Sequence, residues 1–154
     1  MTGILKRFCF GLLFILSVTC FSAEFPKSYF VDRLTTVWIT DKVLVTLAPL
    51  GYQSASIGYV EVPAGFYTDL ASVMRIPVLY DLLGNRAPGP AVLHDYLYRF
   101  DSIPVVPRDV ADQVFLEAME SRGVAWWIRW PMYLGVCAGG GFSYHKKFVN
   151  AQLF

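Results

Sequence analysis

The residues best suited to chemistry stand together in Ala91-Val92-Leu93-His94-Asp95-Tyr96-Leu97-Tyr98, which holds one of only two histidines in the chain. The stretch reads as a helix. On a helix His94 and Tyr98, four residues apart, share a face, while Asp95 points about 100° away. A histidine and a carboxylate on adjacent faces let one act as base while the other holds a cation. The next helix offers Asp112, which flanks an apolar stripe alongside Phe115 and Met119. If the two helices pack antiparallel, Asp112 reaches His94 and fixes its tautomer, giving a base, an orienting acid and a metal carboxylate.

Plainer roles exist for the same residues. His94 suits a satisfied core histidine, Asp95 could pair with Arg99, and Asp112 with Arg108, each at a spacing of four. Against this, the pair lies among apolar residues, and a turn-rich Gly84 to Pro90 loop precedes its helix. Such a loop can offer carbonyl oxygens to a hard cation such as calcium. Asp69, in a strand-to-helix turn, either lines the same cleft as His94 or caps the turn with help from Ser72. His145, beside Lys146 and Lys147, reads as a solvated tail residue. Ser72 and Ser143 lack a flanking nucleophile motif, and Cys137 on an apolar segment reads as packing.

The elements that must position these groups fall into two halves. Residues 30–67 read as β structure. Val37 and Ile39 alternate with Trp38 and Thr40, Asp41-Lys42 turns the chain, and Val43, Val45 and Leu47 resume a period of two with Thr46 facing the other way. Pro49 and Gly51 punctuate, and Tyr59 to Val62 forms a further strand. Helices follow over Ala91 to Phe100 and from Pro107 to about Arg122, with Asp109 favourable near the second N-terminus. Val124 to Ala138 is apolar and rich in tryptophan. Arg129 and Pro131 interrupt it, which points to a buried or interfacial helix and away from a membrane span. Gly139 to Gly141 ends it. Strands first and helices second predict an α+β domain.

The N-terminus has a different character. Lys6 and Arg7 precede an uncharged apolar run, Phe8 to Thr19, followed by the small or polar Cys20, Ser22 and Ala23 and then Glu24. A short basic region, an apolar region and a small-residue exit form the pattern of a secretory leader. The run is short of the roughly 20 apolar residues a spanning helix needs. Residues 1–23 are therefore expected to be a signal peptide or membrane anchor, with 24–154 as a single domain. The protein is expected to be exported, either periplasmic or anchored to a host inner membrane through this segment. Without residues 1–23 the chain keeps 11 Lys+Arg against 12 Asp+Glu, a net charge of −1. That gives no basic excess for nucleic acid. Cys9 and Cys20 fall in the leader, so Cys137 has no partner for a disulfide and burial must stabilise the fold.

Two segments carry a resemblance. Phe66-Tyr67-Thr68-Asp69-Leu70-Ala71-Ser72-Val73-Met74-Arg75 is one. The other is His94-Asp95-Tyr96-Leu97-Tyr98 with Ala111-Asp112-Gln113-Val114-Phe115 and Ala118-Met119. Together they resemble a phage- and prophage-associated family of unknown function, although Met74 stands where a proline is expected. The resemblance implies a tailed-phage or prophage origin and no settled activity.

A second resemblance, over a shorter stretch, is to secreted phospholipase A2. A Gly-containing loop (Gly84 to Pro90), His94-Asp95, Tyr98 three residues after that aspartate, and Asp112 on the next helix occur in that family's order. The resemblance implies that His94 is the base that activates water, that Asp95 ligates calcium, and that Tyr98 and Asp112 orient His94. The cysteines that staple that family are absent, and the loop lacks its glycine spacing. Ala91 to Asp95 is also similar to metal-dependent phosphohydrolases, but these need an upstream histidine, for which only Asp69 could substitute as ligand.

The expected function is thus hydrolysis in the cell envelope at a His94, Asp112 and Tyr98 site, with calcium at Asp95 and Asp69 or no metal at all. The expected partner is a host envelope lipid or envelope protein. The alternative is a non-enzymatic envelope protein, such as a superinfection-exclusion or host-interaction factor. In that case the helices are scaffold, and the tryptophan-rich segment contacts a partner or a membrane surface.

Overall fold

A computed structural model of the chain describes residues 27–70 and 88–145. The expected leader, Ser72, the Val73-Met74-Arg75 part of the first motif and most of the Gly84 to Pro90 loop lie outside the described residues. The described part is α+β, as the order of patterns predicts. Six short strands come first: β1 (Tyr29–Phe30), β2 (Thr36–Trp38), β3 (Leu44–Thr46), β4 (Leu50–Ser54), β5 (Gly58–Val62) and β6 (Tyr67–Thr68). Three helices follow, α1 (Pro88–Leu97), α2 (Arg108–Ser121) and α3 (Trp126–Gly139), and a 3-10 turn spans Gly140–Phe142.

The strands make two antiparallel sheets, ordered β1-β4-β5 and β2-β3-β6. In β5 the period of two is clean, with Val60 and Val62 buried and Tyr59 and Glu61 exposed. Its partner β4 was not foreseen as a strand, because Pro49 and Gly51 read as punctuation. It forms because Leu50 and Tyr52 bury one face against the helices while Ser54 closes the hairpin. The Ser54 hydroxyl accepts the backbone N–H groups of Ser56 and Ile57, and Gly58 supplies the positive φ of 83° that the turn needs. The β2–β3 hairpin turns at Asp41-Lys42 as expected, with the Thr40 hydroxyl accepting from Val43.

Thr46 faces away from Val45, as alternation predicts, yet it is buried as well, while Leu47 is exposed. The Thr46 hydroxyl explains this. It donates to the Pro63 carbonyl at 2.8 Å and accepts from the Phe66 N–H at 2.9 Å, so its polar atom is satisfied inside the fold.

The first helix starts earlier and stops earlier than its composition suggests. Pro88 and Pro90 sit in its first turn, where a missing N–H costs nothing, so Pro88, Gly89 and Pro90 are helical and not loop. It ends at Leu97, and Tyr98 is held to the last turn by its N–H donating to the His94 carbonyl. α2 follows Pro107 and carries Asp109 in its first turn. It packs against α1 on one side, α3 on another, and β1 and β4 below. The core joins Leu50, Tyr52, Val60 and Val62 of the first sheet to Leu93, Leu97, Phe115 and Met119 of the helices. α3 buries only Met132 and Val136, so it is not the buried helix that its hydrophobicity permitted. No helix among the described residues is long and apolar enough to cross a membrane.

Glu117 of α2 ties the two halves together. Its carboxylate accepts from Ser28 and Ser56 hydroxyls, from the Ala55 N–H at 2.8 Å and from the Tyr52 hydroxyl at 3.2 Å. Burial on its own would raise this acid. The hydrogen bonds from Ser28, Ser56 and Ala55 outweigh burial and hold it below the ordinary glutamate value of 4.5. A depressed folded-state value means stability that is fully present above the unfolded value and is lost as pH falls through the folded one. Glu117→Gln is therefore expected to cost about 2 kcal/mol near neutral pH in urea unfolding. That difference should shrink as the pH is lowered below 4.5. Two curves that stay parallel through the acid range would contradict this role for the charge.

Candidate functional site

His94 and Tyr98 do share a face of the helical turn, and that face meets α2. Their rings lie 4.1 Å apart between centroids, and Phe115 of α2 packs 4.9 Å from His94. Into this contact α2 projects Asp112. The His94 Nε2 lies 2.9 Å from Asp112 Oδ1, and the Tyr98 hydroxyl donates to the same oxygen. His94 and Asp112 are each 1 % exposed. The predicted pairing of Asp112 with Arg108 is not what forms. Arg108 instead donates to the Cys137 carbonyl at 3.2 Å.

The electrostatics follow from this packing. Burial would raise Asp112, but the hydrogen bonds from His94 and Tyr98 outweigh it and hold the carboxyl below the ordinary aspartate value. Burial and the neighbouring Asp112 push the Tyr98 phenol well above its ordinary range, so it remains a donor. An ionised carboxylate can only accept, so the His94 Nε2 carries a proton. In a neutral imidazole that leaves Nδ1 as the basic nitrogen. Cys137, expected to be packing, is half-buried beside this carboxylate, and burial raises its thiol.

The His94 Nδ1 faces Asp95, whose Oδ1 lies 4.0 Å away. Asp95 does not pair with Arg99, which forms a two-pronged ion pair with Asp101 at 2.7 and 2.8 Å. Asp95 instead accepts from the Thr68 hydroxyl, which in turn accepts the Leu70 N–H at 3.0 Å. Thr68 therefore holds the turn after β6, where Leu70 adopts a positive φ of 48°. Asp69 is exposed next to it. Among the described residues no group of three or more His, Cys, Asp or Glu side chains could hold a metal ion. The backbone of Pro88 to Pro90 is helical.

Two residues that the sequence did not single out complete the site. Tyr144 packs edge-on against Tyr98 at 5.5 Å, and its hydroxyl donates to the Val106 carbonyl. Gly140 leaves the space that Tyr98 occupies, since a Cβ there would stand 2.2 Å from the phenol oxygen. The Gly139-Gly140-Gly141 run was the available signal, although it read only as a helix break. His145 is exposed as expected, yet its N–H donates to the Tyr98 carbonyl at 2.8 Å.

Among the described residues two open clefts can be traced. One, of about 670 Å³, is lined by Tyr59, Glu61, Phe66, Tyr67, Tyr96 and Arg99 among others. The second, of about 490 Å³, includes Arg33, Trp38, Leu70, Pro88 and Arg122. None of His94, Asp95, Tyr98 and Asp112 lines either of them.

Residues 44–136, more than half of the chain, match the family described as a protein of unknown function (DUF1353). The chain belongs to this family, and the matched region contains His94, Asp95, Tyr98 and Asp112. No curated protein and no solved structure matches the chain.

The shared Asp112 oxygen and the Gly140 gap can be tested together. Tyr98→Phe is expected to cost about 1–2 kcal/mol by leaving a buried acceptor short of a donor. Gly140→Ala is expected to cost about 1–3 kcal/mol by overpacking. Because the clash is with the phenol oxygen, the double variant should lose less than the sum in denaturant unfolding. Strict additivity would show that the two positions do not meet as described.

Proposed function

We propose that the chain is an exported protein of tailed-phage or prophage origin that hydrolyses an ester of the host envelope, with His94 as general base. The observation that carries this reading is the bond from His94 Nε2 to Asp112, with Tyr98 on the same carboxylate oxygen. It sets the tautomer with the base at Nδ1 and restrains the ring, the arrangement that the resemblance to secreted phospholipase A2 implies. In the proposed reaction Nδ1 takes a proton from water, whose oxygen attacks the acyl carbon. The resulting imidazolium then returns the proton to the leaving alkoxide. Asp112 stabilises the imidazolium and does not itself take the proton. Calcium enters as a cation for which Asp95 and Asp69 are the candidate carboxylates, and the steps above run without it. The substrate class is envelope lipid, reached from the periplasmic side or from a leader retained in the inner membrane.

A second reading is favoured by burial. His94 and Asp112 are 1 % exposed and line neither described cleft, which suits a polar tie between scaffold helices. On that reading the protein is a non-enzymatic envelope factor, concerned with superinfection exclusion or host interaction.

Fatty-acid release from phospholipid vesicles by the full chain, with and without calcium, separates the two. The hydrolase reading expects release, and a loss of about 10²–10⁴-fold in His94→Gln. A circular-dichroism spectrum should show that the variant is folded. Equal rates in the two proteins, or no release by the wild-type chain, would remove the catalytic role and leave the scaffold reading.

A further inference from the structure

Helix α3 carries the inverse of an ordinary surface. Its exposed positions are Trp126, Trp127, Trp130, Pro131, Leu134, Gly135, Ala138 and Gly139, so its solvent side has no polar side chain apart from the indole N–H groups. At 100° per residue Trp126, Trp130, Leu134, Trp127 and Pro131 fall on one continuous face. Trp126 and Trp127 are each 63 % exposed and Leu134 is 60 % exposed. The one charged residue of the helix, Arg129, is turned to the protein side, where it pairs with Glu120 at 2.8 Å and donates to the Val124 carbonyl. Phe142, in the 3-10 turn that follows, is 85 % exposed. Scattered apolar residues on a surface need no account, but a face of this continuity does.

Charge points to what covers it. From Ser121 to Phe154 the sequence contains no acid, while it holds Arg122, Lys146 and Lys147 besides Arg129, whose charge is met by Glu120. The rest of the chain beyond the leader is net acidic, so the apolar face sits in the one basic stretch of an otherwise acidic body. The interface of a bilayer suits such a face, because an indole is apolar over its ring and polar at its N–H. A helix of 14 residues is about 21 Å long. It is too short to span a bilayer and long enough to lie along one, with its apolar face sunk to the level of the acyl boundary.

We propose that α3 docks the protein flat on an anionic phospholipid surface through Trp126, Trp127, Trp130 and Leu134. The docking does not depend on the hydrolytic reading, and a protein without activity would bind in the same way. It is also distinct from insertion of the leader, which brings no tryptophan to the membrane.

The leader contains no tryptophan, so tryptophan fluorescence reports on docking even in the full chain. The full chain bearing Trp38→Phe is mixed with phosphatidylglycerol vesicles whose acyl chains carry bromine near the headgroup or near the bilayer centre. Emission from the three α3 tryptophans should fall about two-fold or more with the shallow bromines, and much less with the deep ones, as interfacial residues require. The wild-type chain, measured in parallel, should show the same pattern diluted by Trp38, which guards against a folding defect in the variant. Emission that is unchanged by brominated lipid while the chain floats with the vesicles would overturn the proposal. It would mean that the leader alone holds the protein and that the face is covered by another part of this chain, a second copy or a protein. Stronger quenching by the deep bromines would overturn it too, since α3 would then be inserted and not docked.

Discussion

A single carboxylate oxygen between two helices sets the layout of the helical half. Asp112 Oδ1 receives both His94 and Tyr98, and neither donor comes from its own helix. Taking a charge out of water costs several kcal/mol, and this is offset only where the geometry supplies enough donors. That requirement restricts how α2 can lie on α1. A slide of one helical turn would leave the carboxylate without these donors beside the Phe115 ring. The contact also reaches the chain's far end, because the Tyr98 ring needs the gap at Gly140 and the edge of Tyr144. Three helical segments distant in sequence are thus brought into register by one acid.

Glu117, five residues further along the same helix, does for the sheet what Asp112 does for the helices. Its donors come from the segment before β1, from β4 and from the β4–β5 turn. α2 therefore presents one acid to each half of the fold. The two differ in their surroundings. Asp112 is enclosed by rings, whereas Glu117 meets small hydroxyls and a backbone amide near the surface. The first suits a group whose chemistry is kept from water, and the second suits a clamp.

Much of this was legible in the sequence, for physical reasons that differ by residue. The spacing of four between His94 and Tyr98 put them on one face, and that relation needs only helix geometry. The reach of Asp112 to His94 followed from placing two amphipathic helices side by side. Partners set by tertiary packing were not legible. Asp95 and Arg99 have the spacing of an ion pair, but the helix ends at Leu97, so Arg99 leaves the helical track and pairs with Asp101. Thr68 was hidden because a hydroxyl has no periodicity of its own, and its importance appears only when β6 is laid beside α1. β4 was missed because a glycine and a neighbouring proline outweighed two buried side chains in local pattern. The face of α3 was left open between buried and interfacial for the opposite reason. Its hydropathy is high all round, and composition alone does not distinguish a helix inside a fold from one left uncovered.

The Glu117 clamp has a consequence for reach. It binds Ser28, which makes residue 28 the first side chain tied to Glu117 among the described residues. A fully extended chain covers at most about 3.5 Å per residue, so the stretch from Ala23 to Ser28 reaches no further than about 18 Å. A leader kept in the bilayer would then act as a short leash, holding the body within roughly its own radius of the lipid. At that range the effective concentration of surface seen by α3 is in the millimolar class. A contact too weak to recruit a free protein would be occupied nearly all the time. Cutting such a leash would turn a resident of the membrane into a visitor.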